Sequence, residues 1–117
     1  MTAVEQVASE LTPLQRYRYV VERYIVSLKQ LTVAAYPLEE PGKPVFITFR
    51  TVSYMQMPTY WQEAPFKLST PDECRTFLER VGLDAVDELP HLFSARPAKS
   101  EVYIVCRSLK VSETMPS

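Results

Sequence analysis

Glycine is nearly absent from this chain, with two among 117 residues. Backbone approaches a phosphate closely only where no Cβ intervenes, so Walker loops and dinucleotide-binding fingerprints have nothing to be built from. Histidine is scarcer still. One residue, His91, cannot assemble a multi-histidine metal site, and no cysteine or carboxylate stands at ligand spacing around it. The two cysteines, Cys74 and Cys106, lie far apart and fit no metal or redox spacing. No apolar run approaches the roughly 20 residues that a bilayer-crossing helix needs. The opening MTAVEQVASE has no basic stretch followed by an apolar one, so the expectation is a cytoplasmic protein with reduced thiols and no membrane partner. Strong charge is lacking too. A net charge of −1 and a pI near 5.8 disfavour wholesale nucleic-acid binding and leave room only for a local basic patch.

What is present is a core. With 46% hydrophobic residues, a chain of this length is one domain that buries roughly two-thirds of the surface its unfolded form exposes, without staples. Residues 1–11 read as a mobile segment, 12–111 as the domain, and 112–117 as a disordered tail. Thr12, Pro13 and Gln15 resemble a helix cap, a first-turn proline and the close of a capping box. Leu14, Tyr17, Val21, Tyr24, Leu28, Leu31 and Ala35 then follow at alternating spacings of three and four. This spacing predicts a long helix over 12–35, ended by Tyr36-Pro37.

After the turn Glu39–Pro44, VFITFRTV alternates with period two, Val45, Ile47 and Phe49 facing one way and Thr48 and Arg50 the other. That strand reaches toward Tyr54 and Met55, and Pro58 ends it. A short strand at 66–68 is expected to pair back across Gln62–Pro65. In STPDECRTFLERVG, Thr70 caps a second helix, Pro71 opens it, Glu73 closes a capping box and Gly82 stops it. LDAVDELPHLF reads as a short helical turn packing through Val86, Leu89 and Phe93. EVYIVCRSLKV is a strand apolar on both faces, hence central. The expected fold is α+β: a small, mostly antiparallel sheet of three to four strands, with the long N-terminal helix and the second helix packed on one face.

Chemistry is thinly represented. His91 is a candidate acid–base group only by type. Cys74 stands in a first helical turn that favours a thiolate, yet it opens that helix's apolar stripe beside Asp72 and Glu73. Cys106 alternates with Val102 and Ile104 as core. Asp84, Asp87 and Glu88 cluster without the glycine a calcium loop requires. We therefore assign no catalytic residue, metal or cofactor, and read the chain as non-enzymatic.

Two surfaces remain. SYMQMPTYWQEAPFKL concentrates adaptable and aromatic side chains, so Tyr54, Met55, Met57, Tyr60 and Trp61 are the candidate contact with a protein partner. Arg16, Arg18, Arg23 and Lys29, interleaved with tyrosines on the first helix, are the candidate nucleic-acid contact, the alternative reading. Self-association through the helix seam would make a homodimer.

FLERVGLDAVDELPHL, with Phe77, Leu78, Gly82, Leu83, Leu89 and Pro90, resembles the tail of the winged-helix repeat in the chromosome segregation and condensation protein B family, and PGKPVF echoes a turn there. The match covers about a fifth of the chain, and a glycine-stopped helix accounts for the same residues, so no function is carried over. YMQMPTYWQEAPFKLSTPDECRTFLERVG resembles small cyanobacterial proteins of unknown function. That resemblance implies an accessory or regulatory protein and supplies no site residue.

Overall fold

The computed structural model describes residues 2–11, 13–39, 42–83 and 88–115. Nine strands dominate it, in two antiparallel sheets. The five-stranded sheet runs β5 (Tyr60–Gln62), β1 (Tyr17–Ile25), β2 (Gln30–Pro37), β3 (Val45–Arg50), β9 (Ser108–Ser112). The four-stranded sheet runs β4 (Tyr54–Gln56), β8 (Val102–Cys106), β7 (His91–Ala95), β6 (Lys67–Leu68). The architecture is thus mostly β, which corrects the α+β expectation of a single small sheet under a long helix. The two helices are α1 (Ala3–Ala8) and α2 (Pro71–Val81).

In place of the long helix expected over 12–35, Tyr17–Ile25 and Gln30–Pro37 form a β-hairpin, and Thr12, the expected cap, lies outside the described residues. Tyr17, Tyr19 and Val21 of β1 pair with Pro37, Ala35 and Val33 of β2, and a bulge between Val21 and Arg23 resets the register to Tyr24 opposite Leu31. That bulge accounts for the spacing of three from Val21 to Tyr24, and the hairpin turn for the one from Leu28 to Leu31. A period of two with one extra residue mimics a helical seam. Composition favours the strand as well, because Tyr17, Tyr19, Val20, Val21, Tyr24, Ile25 and Val26 are β-branched or aromatic, and such side chains lose rotamer freedom in a helix. The hairpin turns through a single 3-10 turn, Val26–Leu28, and Lys29 in the left-handed conformation at φ 50°.

The two sheets share a corner. Beyond Arg50 the chain kinks at Thr51, φ 55°, and continues as β4 in the other sheet. Alongside it, β8 passes into β9 through Arg107. Backbone bonds from the Arg107 amide to the Arg50 carbonyl (3.0 Å) and from the Ser53 amide to the Val105 carbonyl (2.9 Å) hold the two bends together. At the opposite side, residues 63–66 connect edge strand β5 to edge strand β6. The core fills the space between the sheets. Tyr19 stacks on Trp61 at 5.3 Å, and Phe66, Phe49 and Phe93 continue the ring contacts edge to face. Leu31, Val33, Ile47 and Ile104, none more than 1% exposed, complete it.

The second helix has the ends its sequence predicts. The Thr70 hydroxyl accepts from the Glu73 amide, the Glu73 carboxylate accepts from the Thr70 amide, and Gly82 closes the helix at φ 75°, where a Cβ would be strained. It lies on the outer face of the four-stranded sheet, setting Cys74, Phe77 and Leu78 against Leu92 and Val105. Residues 2–11 also form structure: Thr2 caps α1, Val4, Val7 and Ala8 pack against the core, and Leu11 is buried. The short strand at 66–68 pairs with β7 and not back across Gln62–Pro65, and Phe93, expected on a helical turn, is on β7. Val86, Asp84 and Asp87 lie outside the described residues.

Candidate nucleic-acid interface

Strand alternation divides the aromatic and methionine stretch. Trp61 is 3% exposed, stacked on Tyr19, its indole N–H donating to the Ala64 carbonyl at 3.0 Å. Tyr54 turns the other way and meets Phe77 of α2 edge to face. Met57 packs against the core. Only Met55 and Tyr60 stand exposed, and they belong to different sheets. The five side chains do not make one surface.

The basic residues fare differently once the hairpin replaces the helix. Register places Arg18 beside Tyr36 and Gln62, and Arg23 beside Thr32, all on the outer face of the five-stranded sheet. Across that face one row reads Tyr60, Val20, Ala34, Phe46, Ser112, and the next reads Arg23, Thr32, Thr48, Lys110. Arg50 follows on the same face. Arg16 lies before the strand, paired with Glu39 at 3.0 Å, and Lys29 sits at the hairpin turn.

The middle of this face is small, and its margins are long. Thr32, Ala34 and Thr48 are at most 2% exposed although no helix among the described residues packs on this face. Arg18 holds its guanidinium 5.4 Å above the Tyr36 ring. The Tyr36 hydroxyl donates to Glu22 at 2.8 Å, and that bond to a carboxylate raises the phenol's ionisation above its usual range. Among the described residues the face carries Arg18, Arg23, Arg50 and Lys110 against Glu22, an excess of positive charge within a chain whose total is negative. Aromatic rings between cations on an open antiparallel sheet can stack bases and hold phosphates.

Arg50, Lys110, Tyr36 and Phe46 escaped the sequence reading. The alternation of Thr48 with Arg50 was visible, but only the pairing of β3 with β9 sets Lys110 beside Thr48. Elsewhere chemistry remains sparse. The Cys74 thiol is buried, donates to the Pro90 carbonyl at 3.3 Å, and is pushed up by desolvation. Burial pushes the Cys106 thiol up to about 12. His91 is held below its ordinary value by burial and then by Arg107, so its imidazole is neutral near pH 7. Among the described residues no group of three or more histidines, cysteines or carboxylates could hold a metal ion, and no helix is long and apolar enough to cross a membrane. Compared with protein-family models, curated proteins and solved structures, the chain matches none.

Proposed function

We propose that this protein is a non-enzymatic binding module for single-stranded nucleic acid, using the outer face of the five-stranded sheet. The observation that carries the reading is the combination of Arg18, Arg23, Arg50 and Lys110 with Tyr36, Phe46 and Tyr60 on one face, on which no helix among the described residues packs. Phosphates would meet the cations, and bases would lie on the rings. Duplex recognition is a poorer match, since no helix among the described residues stands on this face to enter a groove.

The test is fluorescence anisotropy of a labelled oligodeoxythymidylate and of the matching oligouridylate, each across a salt series. Affinity should fall steeply with salt, with a log–log slope of about −0.7 for each phosphate neutralised. Arg18→Glu with Lys110→Glu should abolish binding. Affinity that ignores salt, or that survives this double reversal, sinks the proposal.

A further inference from the structure

Beside the edge strand β5 lies a cleft of about 630 Å³, walled on its other side by the connection from β7 to β8. Tyr60, Gln62, Glu63, Arg96, Lys99 and Ser100 are among its lining residues, and Trp61 forms part of its base. We infer that this cleft holds one nucleoside monophosphate unit, its base on the Tyr60 ring and its phosphate between Arg96 and Lys99.

Tyr60 is 47% exposed, the one aromatic side chain among the described residues left so open, and stacking on an exposed ring is available to every base. Its hydroxyl accepts from the Gln62 side-chain N–H, which fixes the amide and leaves the Gln62 Oε1 free to accept from a base amino group. Arg96 and Lys99 give the lining two cations against one carboxylate, Glu63. Glu63 is held at φ 56° where the chain leaves β5. A carboxylate in that place repels phosphate toward the cations and can accept from ribose hydroxyls, so ribose should be preferred over deoxyribose. The volume lies in the range of ordinary small-ligand sites. Tyr60 also belongs to the sheet face, so a strand crossing that face would run over β5 and end here. The inference rests on the sheet-face reading for the strand's course, whereas the cleft stands on its own lining.

The source of the unit, a free nucleotide or a strand end, is separated by titrating ¹⁵N-labelled protein with AMP, dAMP and a short oligouridylate. The Trp61 indole N–H and the amides of 60–63 and 96–100 report on the cleft. Saturable AMP shifts confined to these residues are expected. They should weaken at least tenfold in Arg96→Glu with Lys99→Glu and in Tyr60→Ala, and survive in Tyr60→Phe. The spectrum of each unliganded variant checks that it is folded. If the oligonucleotide binds while AMP does not, and the Arg96/Lys99 reversal leaves its affinity unchanged, the cleft inference is overturned and the sheet-face reading stands. If AMP binds and the oligonucleotide gains nothing over it, the cleft is a free-nucleotide site and the sheet-face reading falls. If neither moves the cleft resonances, the inference is overturned.

Discussion

The two sheets turn opposite kinds of outer face to the surroundings. The four-stranded sheet presents Leu92, Val105, Tyr54 and Tyr103, and α2 covers them with Cys74, Phe77 and Leu78. Phe77 lies 4.7 Å from Tyr103 and 5.4 Å from Tyr54, and Arg80 closes over the Phe77 ring at 4.9 Å. No helix among the described residues packs on the outer face of the five-stranded sheet, α1 lying against the core side, yet its central Thr32, Ala34 and Thr48 are as dry as the core. Both faces obey the same alternation. What differs is side-chain size. Large apolar residues in the middle of a sheet need another element to exclude water. Small ones leave room for long neighbours to lie along the sheet, as Arg18 lies over the Tyr36 ring. The first arrangement spends the face on stability, and the second leaves it free for a ligand.

The comparison breaks most visibly at its two phenylalanines. Phe77→Ala removes a buried ring from beneath α2 and should cost about 3–5 kcal/mol. Phe46→Ala on the open face, where the ring is half-buried, should cost about 1 kcal/mol. Urea unfolding of the two variants measures both. Equal losses would mean that the open face is core in energetic terms, and the contrast between the sheets would be lost.

Next in size is an alkaline effect that belongs to the covered sheet, where both thiols reside. Cys106 has its folded pKa raised to about 12 by burial, from an ordinary value of 9.0. Below pH 9 both folded and unfolded forms carry the neutral thiol, and its contribution is fully present. As pH rises from 9 toward 12 the unfolded form alone loses the proton, so stability drops, at roughly 1.4 kcal/mol per pH unit for one such group. Urea midpoints between pH 8 and 10.5 should fall, and Cys106→Ala should lessen the fall from a lower starting point, the remainder belonging in part to the raised Cys74 thiol. A smaller effect is expected on the open face: Arg18→Glu with Lys110→Glu should shift stability by only about 0.5 kcal/mol, since exposed charges contribute little, while removing oligonucleotide binding. A large stability loss there would mean that these cations hold the sheet together instead of serving a ligand.

How much of this was legible differs between the same two regions. The covering helix could be read to the residue, because Thr70, Pro71, Glu73 and Gly82 each act within one turn of the chain. The strand at Val45–Arg50 was equally plain from its alternation. The open face was not, for two reasons. Its hairpin carries a bulge at Val21–Arg23 and a turn at Val26–Leu28, and together they broke a period of two into spacings that imitate a helix. Its outward-facing residues come from strands distant in sequence, and Thr32 meets Thr48 and Lys110 only through the β2–β3 and β3–β9 pairings. Arg18 and Arg23 were singled out on a helix and stand on β1 instead. Trp61 went unplaced because an aromatic near Pro58 reads the same whether it faces core or water, and only Tyr19 and Ala64 decide it.

The smallest effect is an acid one at the end of the covered sheet. His91 begins β7 opposite Cys106, and burial, then Arg107, holds its imidazole below the ordinary 6.5, while Glu5 and Glu88 pull weakly the other way. The unfolded chain therefore binds a proton that the folded one resists. The stability His91 contributes is present above pH 6.5 and is lost as pH falls from there through the folded value. The lowered carboxylates Glu5 and Glu73 act in a separate window, because their contribution is lost only as pH falls below their ordinary 4.5. Urea midpoints between pH 7.5 and 5 thus isolate the imidazole. They should decline in the native protein and stay level in His91→Gln, and Glu5→Gln should steepen the decline by removing a carboxylate that favours the imidazolium. A decline unchanged in His91→Gln would assign the acid response to some other group. The same titration followed by oligonucleotide binding should show no matching change, since His91 lies on the four-stranded sheet and the proposed ligand face on the other.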